Sequence, residues 1–266
     1  MDVNNEESSG GSHIAPKTKH NEVVKFFPVS VDNFFDNPDK IVRYAKSLPK
    51  EPDPDGYSPG KRSDLLWKID KELNDAILLK ILSCYYDLSY QTFTWKFGDL
   101  LFQEIPAFSK NKNDVRNRGW IHFDDPDKYE VAGLIYLTPD IDPDTGTSLF
   151  TLKKQNEYGL YQKQFTRHLM YKENETIDQA YYAKKVKENE EFFIEKVRFA
   201  NIYNRMIMYD IKEFHRANSY YNEDGKDVRL TLTFFIGGLN VDIFPLEKIR
   251  EKNTDEFINY RTEVKQ

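Results

Sequence analysis

The chain has 266 residues, a formal net charge of -6 and 15 % aromatic residues, enough for one large domain with elaborations and far too aromatic for a disordered protein. The negative balance supplies no global field for holding nucleic acid, which is therefore disfavoured as a partner. One cysteine, Cys84, excludes an internal disulfide, and no apolar run approaches the roughly 20 residues that cross a bilayer, so no membrane partner is expected.

Residues 1–21 are polar, with Ser8, Ser9, Gly10, Gly11 and Ser12 in succession, and read as a disordered tail. They lack the basic start and apolar stretch of a signal peptide, so the expected setting is a reducing cytoplasm. His13 and His20 fall in that tail and are discounted as ligands. A single domain is expected over 22–245, with a helical part at 22–90 and a β core at 91–240, and a C-terminal extension at 246–266.

Order is expected to begin with a short strand at Val23 to Phe27. Asn37 and Pro38 then read as an N-cap and an early helical proline, followed by Ile41, Val42, Ala45 and Leu48 at helical spacing. Pro49, Pro52, Pro54 and the segment from Tyr57 to Arg62 predict an irregular loop. A second helix is predicted over Ile69 to Tyr86, with Leu73, Ile77, Ile81 and Tyr85 on one stripe and Cys84 as a small core hydrophobe.

From residue 91 the texture changes to short β-branched and aromatic runs bounded by turn residues. Phe93 to Phe97, Gly119 to Phe123, Val131 to Leu137, Thr147 to Leu152, Val197 to Tyr203, Arg205 to Tyr209 and Arg229 to Ile236 read as strands, which suggests a sandwich or barrel. Residues 153–196 interrupt them with a charged, partly helical insertion, and a connection of that length suggests a lid.

His122 and Asp124 stand at i and i+2, so an extended segment projects both to one face and Ile121 and Phe123 to the other. With His215 they make two imidazoles and one carboxylate, the facial triad of non-heme Fe(II) oxygenases. Three protein ligands leave three positions of an octahedral ion open, which a bidentate 2-oxo acid and dioxygen would fill. The distal carboxylate of that acid needs a partner. Arg229, in the apolar run from Val228 to Ile236, can pair with it bidentately, and a buried arginine without an anion is costly. By parity Arg229, Thr231, Thr233 and Phe235 share a face, which places Thr231 or Thr233 beside the arginine; Tyr136, 12 residues after Asp124, can reach the same carboxylate from the next strand.

At these residues the chain resembles the Fe(II)- and 2-oxoglutarate-dependent oxygenases, in their prolyl-hydroxylase-like branch. The matching elements are His-Phe-Asp at 122–124, Leu-Ile-Tyr-Leu-Thr at 134–138, Gly-Thr-Ser-Leu-Phe at 146–150, His215, and Arg-Leu-Thr-Leu-Thr at 229–233. The segments at 32–38 and 57–62 resemble uncharacterised members from bacteria and their phages, which implies a bacterial or phage-infected host cytoplasm. The resemblance implies a mainly β fold, the double-stranded β-helix or jelly roll, with N-terminal helices packed on the sheet. It implies that His122, Asp124 and His215 bind Fe(II), that Arg229 binds 2-oxoglutarate with Tyr136, Thr233 and Thr231 assisting, and that O2 is consumed with release of succinate and CO2. The oxidised substrate, a small molecule or peptide, and the oligomeric state are not legible. The rival readings are a non-enzymatic jelly-roll interaction module and a cupin-type metalloenzyme that uses no oxo acid.

Other polar residues have plainer readings. Asp125 and Asp127 fit a turn, His168 a surface, and Trp120 a core aromatic more readily than a cleft wall. Lys110, Lys112, Arg116 and Arg118 read as a solvated loop before they read as a contact for an acidic substrate. Asn204 and Arg205 fit either a ligand contact or a structural ion pair.

Overall fold

The structure, a computed structural model, describes residues 26–56, 58–88, 93–153, 179–222 and 228–241. The expected tail at 1–21, the extension at 246–266, and His13, His20 and His168 lie outside them. In chain order the elements are β1 (Val29–Val31), α1 (Pro38–Ser47), β2 (Glu51–Pro52), β3 (Lys61–Arg62), α2 (Leu66–Ile69), α3 (Lys71–Leu82), β4 (Phe97–Ile105), β5 (Val131–Tyr136), β6 (Thr147–Leu152), α4 (Gln179–Glu191), β7 (Phe193–Phe199), β8 (Met206–Asp210), β9 (Phe214–Ala217) and β10 (Arg229–Gly237). They form two antiparallel sheets, a larger one ordered β1-β8-β5-β10-β4-β3-β2 and a smaller one ordered β7-β6-β9. The fold is mainly β with a few helices.

Alternation along β10 explains the layers. Leu230, Leu232, Phe234 and Ile236 point to one face and pack with Ala45 of α1 and Ile77, Leu78, Ile81 and Leu82 of α3. The opposite face of the same sheet supplies Ala132, Leu134 and Tyr136 from β5 and Ile207 and Tyr209 from β8, which pack on Leu149 and Phe199 of the smaller sheet. Helices thus cover one face of the larger sheet and the second sheet covers the other. Strand β5 is buried at every position, as a strand covered on both faces should be.

At Gly133 in β5 an added Cβ would stand 2.2 Å from the Ile207 carbonyl oxygen and 2.4 Å from Phe234 Cζ. Gly133→Ala is therefore expected to destabilise the fold by about 1–3 kcal/mol, the usual range for an overpacked core. A lower urea midpoint at unchanged slope is the expected result; an unchanged midpoint would mean that the two faces are less tightly packed than described.

Helices α1 and α3 begin where a short polar side chain can cap them. Asn37 Oδ1 accepts from Lys40 N–H at 3.0 Å, and Asp70 Oδ1 accepts from Leu73 N–H at 3.0 Å. The Asp70 cap also divides the expected 69–86 helix into α2 and α3, and α3 ends at Leu82, so Cys84 is exposed and not in the core. The expected strand at Val23 to Phe27 lies mostly outside the described residues, among which the first strand is Val29–Val31. Two further strand expectations shift. Phe97–Ile105 replaces 93–97 because β10 pairs with it along its whole length, from Arg229 opposite Ile105 to Gly237 opposite Phe97. Strand β7 ends at Phe199, before the turn in which Asn204 adopts φ 63°. The expected loop at 57–62 also carries β3, paired to β4 through Lys61 opposite Glu104 and Arg62 opposite Gln103.

Candidate metal and co-substrate site

His122 lies outside the named strands, yet its backbone pairs with that of His215 on β9: His215 N–H donates to His122 O at 2.7 Å and His122 N–H to His215 O at 3.1 Å. That single bridge sets the two imidazoles side by side, ring centroids 4.4 Å apart. Ile121 turns away into a cluster with Phe150 and Phe193, and Phe123 meets the edge of Phe214. The i, i+2 alternation therefore holds without a full strand, and Asp124 returns to the side of His122.

The orientation of the rings decides what the three side chains can hold. His122 Nδ1 lies 2.7 Å from Trp120 O, and His215 Nδ1 lies 2.9 Å from Glu213 O. A carbonyl only accepts, so each Nδ1 carries a proton and each Nε2 presents its lone pair to Asp124. Those nitrogens stand 3.5 Å and 3.3 Å from the two carboxylate oxygens, longer than charge-assisted hydrogen bonds and suited to a cation between them. Ligand atoms of all three residues lie within 4.8 Å of one another. The donor set fits a divalent transition ion with open positions.

Helix α4 braces both ligand-bearing segments. Asn189, 3 % exposed, accepts from Ile121 N–H at 3.0 Å through Oδ1 and donates to Ile121 O at 3.2 Å through Nδ2, next to His122. Glu190 accepts from Arg216, next to His215, and from Arg118 at 3.2 Å. Trp120 is not a cleft residue; it packs with Tyr182 and Val186 of the same helix. Tyr182, Val186 and Asn189 fall at i, i+4 and i+7, and that spacing is the signal by which the sequence marks Asn189 as an inward-facing residue.

Arg229 occupies the deep end of the pocket, 3 % exposed. Its Nε donates to Thr145 O at 3.2 Å, its Nη2 lies 3.5 Å from Thr147 Oγ1, and its guanidinium leans over the Tyr136 ring at 5.5 Å. Among the described residues no carboxylate pairs with it. Tyr136, fully buried, donates to Thr147 Oγ1 at 2.9 Å, and burial pushes its phenol up, so it stays a donor. Thr231 and Thr233 share the face of Arg229 as parity requires, but their hydroxyls face each other at 3.4 Å. The threonines that touch the arginine are Thr145, through its carbonyl, and Thr147, on either side of Gly146.

One pocket contains His122, Asp124, His215, Thr147, Arg229 and Thr233, and Arg62, Gln103, Tyr209 and Tyr220 also line it. Tyr209 stacks obliquely on His215, 4.8 Å between centroids. The other polar candidates lie elsewhere. Asp125 accepts from Asp127 N–H at 3.0 Å in a turn, and Lys112, Arg116 and Arg118 pair with Asp142, Asp114 and Glu190. Arg205 pairs with Asp32, and Asn204 binds the backbone of Phe35, so both are structural.

No curated protein sequence matches the chain. Among solved structures it is similar to a prolyl hydroxylase from Trichoplax adhaerens in complex with a hypoxia-inducible-factor peptide, at 13 % identity and TM-score 0.46, covering 85 % of this chain and 87 % of that one. It is also similar to HygX from Streptomyces hygroscopicus with nickel and 2-oxoglutarate bound, at 13 % identity and TM-score 0.47, covering 80 % and 84 %. A Pseudomonas putida prolyl-4-hydroxylase is a third, at 11 % identity and TM-score 0.44, covering 80 % and 93 %. A sequence-family match spans residues 27–236, and the chain belongs to that family, DUF6445, described as a family of unknown function.

Proposed function

We propose that this protein is an Fe(II)- and 2-oxoglutarate-dependent oxygenase that converts 2-oxoglutarate and O2 to succinate and CO2 while one oxygen atom enters a C–H bond of the substrate. The observation that carries this reading is the convergence of a two-histidine, one-carboxylate set and a buried arginine without a described carboxylate partner on one pocket. In it, His122, Asp124 and His215 are the ion's ligands. The two sheets are the halves of a double-stranded β-helix, and one domain spans 22–245.

When bound, Fe(II) with 2-oxoglutarate supplies the activation of dioxygen. The chain's own residues prepare for that. The Trp120 and Glu213 carbonyls fix the tautomer of each imidazole, so ligand atoms need no rearrangement. Arg229 receives the distal carboxylate with two N–H groups in its plane, supported by Tyr136 and Thr147, with Thr233 and Thr231 on the same wall. Leu134, Tyr209 and Phe235 supply apolar lining that excludes water from the reacting centre.

Incubation with Fe(II), 2-oxoglutarate and pools of peptides and metabolites should release succinate and yield a product heavier by one oxygen, and His122→Ala should do neither. Succinate release equal in the variant would remove the reading. Asn189→Ala is expected to weaken divalent-ion affinity about tenfold, the low end for residues that support ligands, while the metal-free chain keeps most of its stability. Calorimetric titration with Mn(II) beside thermal melting separates the two effects. An affinity that is unchanged would show that α4 does not position His122.

A further inference from the structure

Gln103 takes no part in the chemistry assigned above, yet it forms part of the wall of the same pocket and is 6 % exposed. Its Nε2 donates to Pro59 O at 2.8 Å. A carbonyl only accepts, so this bond fixes which end of the side-chain amide is nitrogen, and Oε1 is left without a hydrogen bond among the described residues. The fold also holds that amide still. The segment that supplies the Pro59 carbonyl is fastened to β4, where Ser63 N–H donates to Phe102 O at 2.9 Å and Ser63 Oγ accepts from Phe102 N–H at 3.0 Å. Gly60 lies at φ 71°, and a Cβ there would stand 2.0 Å from the Glu104 carbonyl oxygen, so only glycine brings the backbone this close. An acceptor mounted this firmly suits recognition, because little freedom remains to be lost when a ligand binds it.

Register separates Gln103 from the co-substrate. Gln103 lies opposite Thr231, and Thr231 opposite Tyr136. At the usual spacing of about 4.8 Å per strand, its backbone is about 10 Å from that of Tyr136, on the far side of β10 from the ring over which the Arg229 guanidinium leans. What meets Gln103 is therefore the pocket's other occupant. Water can serve Oε1 while the pocket is open; a molecule that expels it must bring a donor of its own or leave a buried acceptor unpaired. One neutral acceptor does not offset the desolvation of an ammonium group, so the fitting donor is neutral. Nε2 carries a second hydrogen beyond the one given to Pro59, so Gln103 can offer an acceptor and a donor together, the complement of another amide.

We propose that Gln103 determines specificity by accepting an N–H of the substrate, so that the oxidised molecule carries an amide that docks on the β4 side of the pocket. This rests on the oxygenase reading above. The test uses the chain loaded with Ni(II), a redox-inert stand-in, and follows thermal melting. The first titrant is 2-oxoglutarate. The second set, added with 2-oxoglutarate present, is the proteinogenic amino acids as N-acetyl N-methylamides, each beside its counterpart methylated at both backbone amide nitrogens. The expected result is metal-dependent stabilisation by 2-oxoglutarate, and at least one amide binding about tenfold or more tightly than its methylated counterpart. Gln103→Met, of similar length but without the amide, should erase that preference; a merely steric cost of the added methyl groups would persist in it. Gln103→Glu, which keeps an acceptor at the same reach, should retain a preference. Both variants should bind 2-oxoglutarate as the parent does, which also reports an intact fold.

If 2-oxoglutarate binds but no amide is preferred to its methylated counterpart, or the preference survives Gln103→Met or is lost in Gln103→Glu, the inference about Gln103 is wrong and the oxygenase reading stands. Loss of 2-oxoglutarate binding in both variants would likewise overturn it, by tying Gln103 to the co-substrate or to the fold. If 2-oxoglutarate shows no metal-dependent binding to the parent chain, the oxygenase reading and this inference fall together.

Discussion

Asp124→Ala is expected to abolish divalent-ion binding, with a loss well beyond the about 10–100-fold attached to residues that merely support ligands. The reason is electrostatic as well as geometric. Asp124 is the only carboxylate of the three-residue set, and both imidazoles turn their Nε2 lone pairs toward it. Removing it leaves two neutral donors, which cannot offset any of the ion's charge. A bound ion stabilises the native chain by about 2.7 kcal/mol at a hundredfold excess over its dissociation constant, so the thermal shift produced by Mn(II) in the parent should vanish in the variant. Calorimetry checks the same point directly. Retained affinity in Asp124→Ala would mean that the ion sits elsewhere.

Arg229→Met should have two effects of opposite sign. The chain without co-substrate should become more stable, because a buried guanidinium that no described carboxylate pairs with is replaced by a side chain of similar length with no charge to desolvate; exchanges of this kind gain about 1–4 kcal/mol in favourable cases. Co-substrate binding should fall about 10- to 150-fold, since a charge-assisted pair worth about 1.5–3 kcal/mol is lost and the carboxylate is left facing Tyr136 and Thr147 without a cation. Urea melts of the free chain and titration with 2-oxoglutarate in the presence of Mn(II) measure the two separately. A variant that is destabilised, yet still binds 2-oxoglutarate, would assign Arg229 to the core and not to the ligand. The opposition itself is informative, because a residue kept against stability is kept for function.

The residues that were legible in the sequence are those governed by alternation. Parity alone separated His122 and Asp124 from Ile121 and Phe123, and Arg229, Thr231 and Thr233 from Leu230, Leu232 and Phe234, and the two faces of β10 divide as that rule requires. Position along the chain was less legible. Strand β4 contains Gly98, Asp99, Gln103 and Glu104, weak strand formers that owe their conformation to β10 on one side and β3 on the other, and a pairing partner more than a hundred residues away leaves no local trace. The place of Arg62 beside the pocket was hidden for the same reason, since Pro59 and Gly60 read as loop until their contact with β4 is known. Thr147 and Asn189 belong to a third kind. Each acts through a neighbour, Thr147 on Tyr136 and Arg229, and Asn189 on the backbone of Ile121, and such roles appear only when the partner is in place.

The most direct test is one spectroscopic titration, in which Fe(II) and 2-oxoglutarate are added without oxygen to the 266-residue chain. A visible absorption band should appear only when both are present, and it should be missing in His122→Ala and in Asp124→Ala. No band at saturating concentrations of both, or one that survives in either variant, would contradict the central claim.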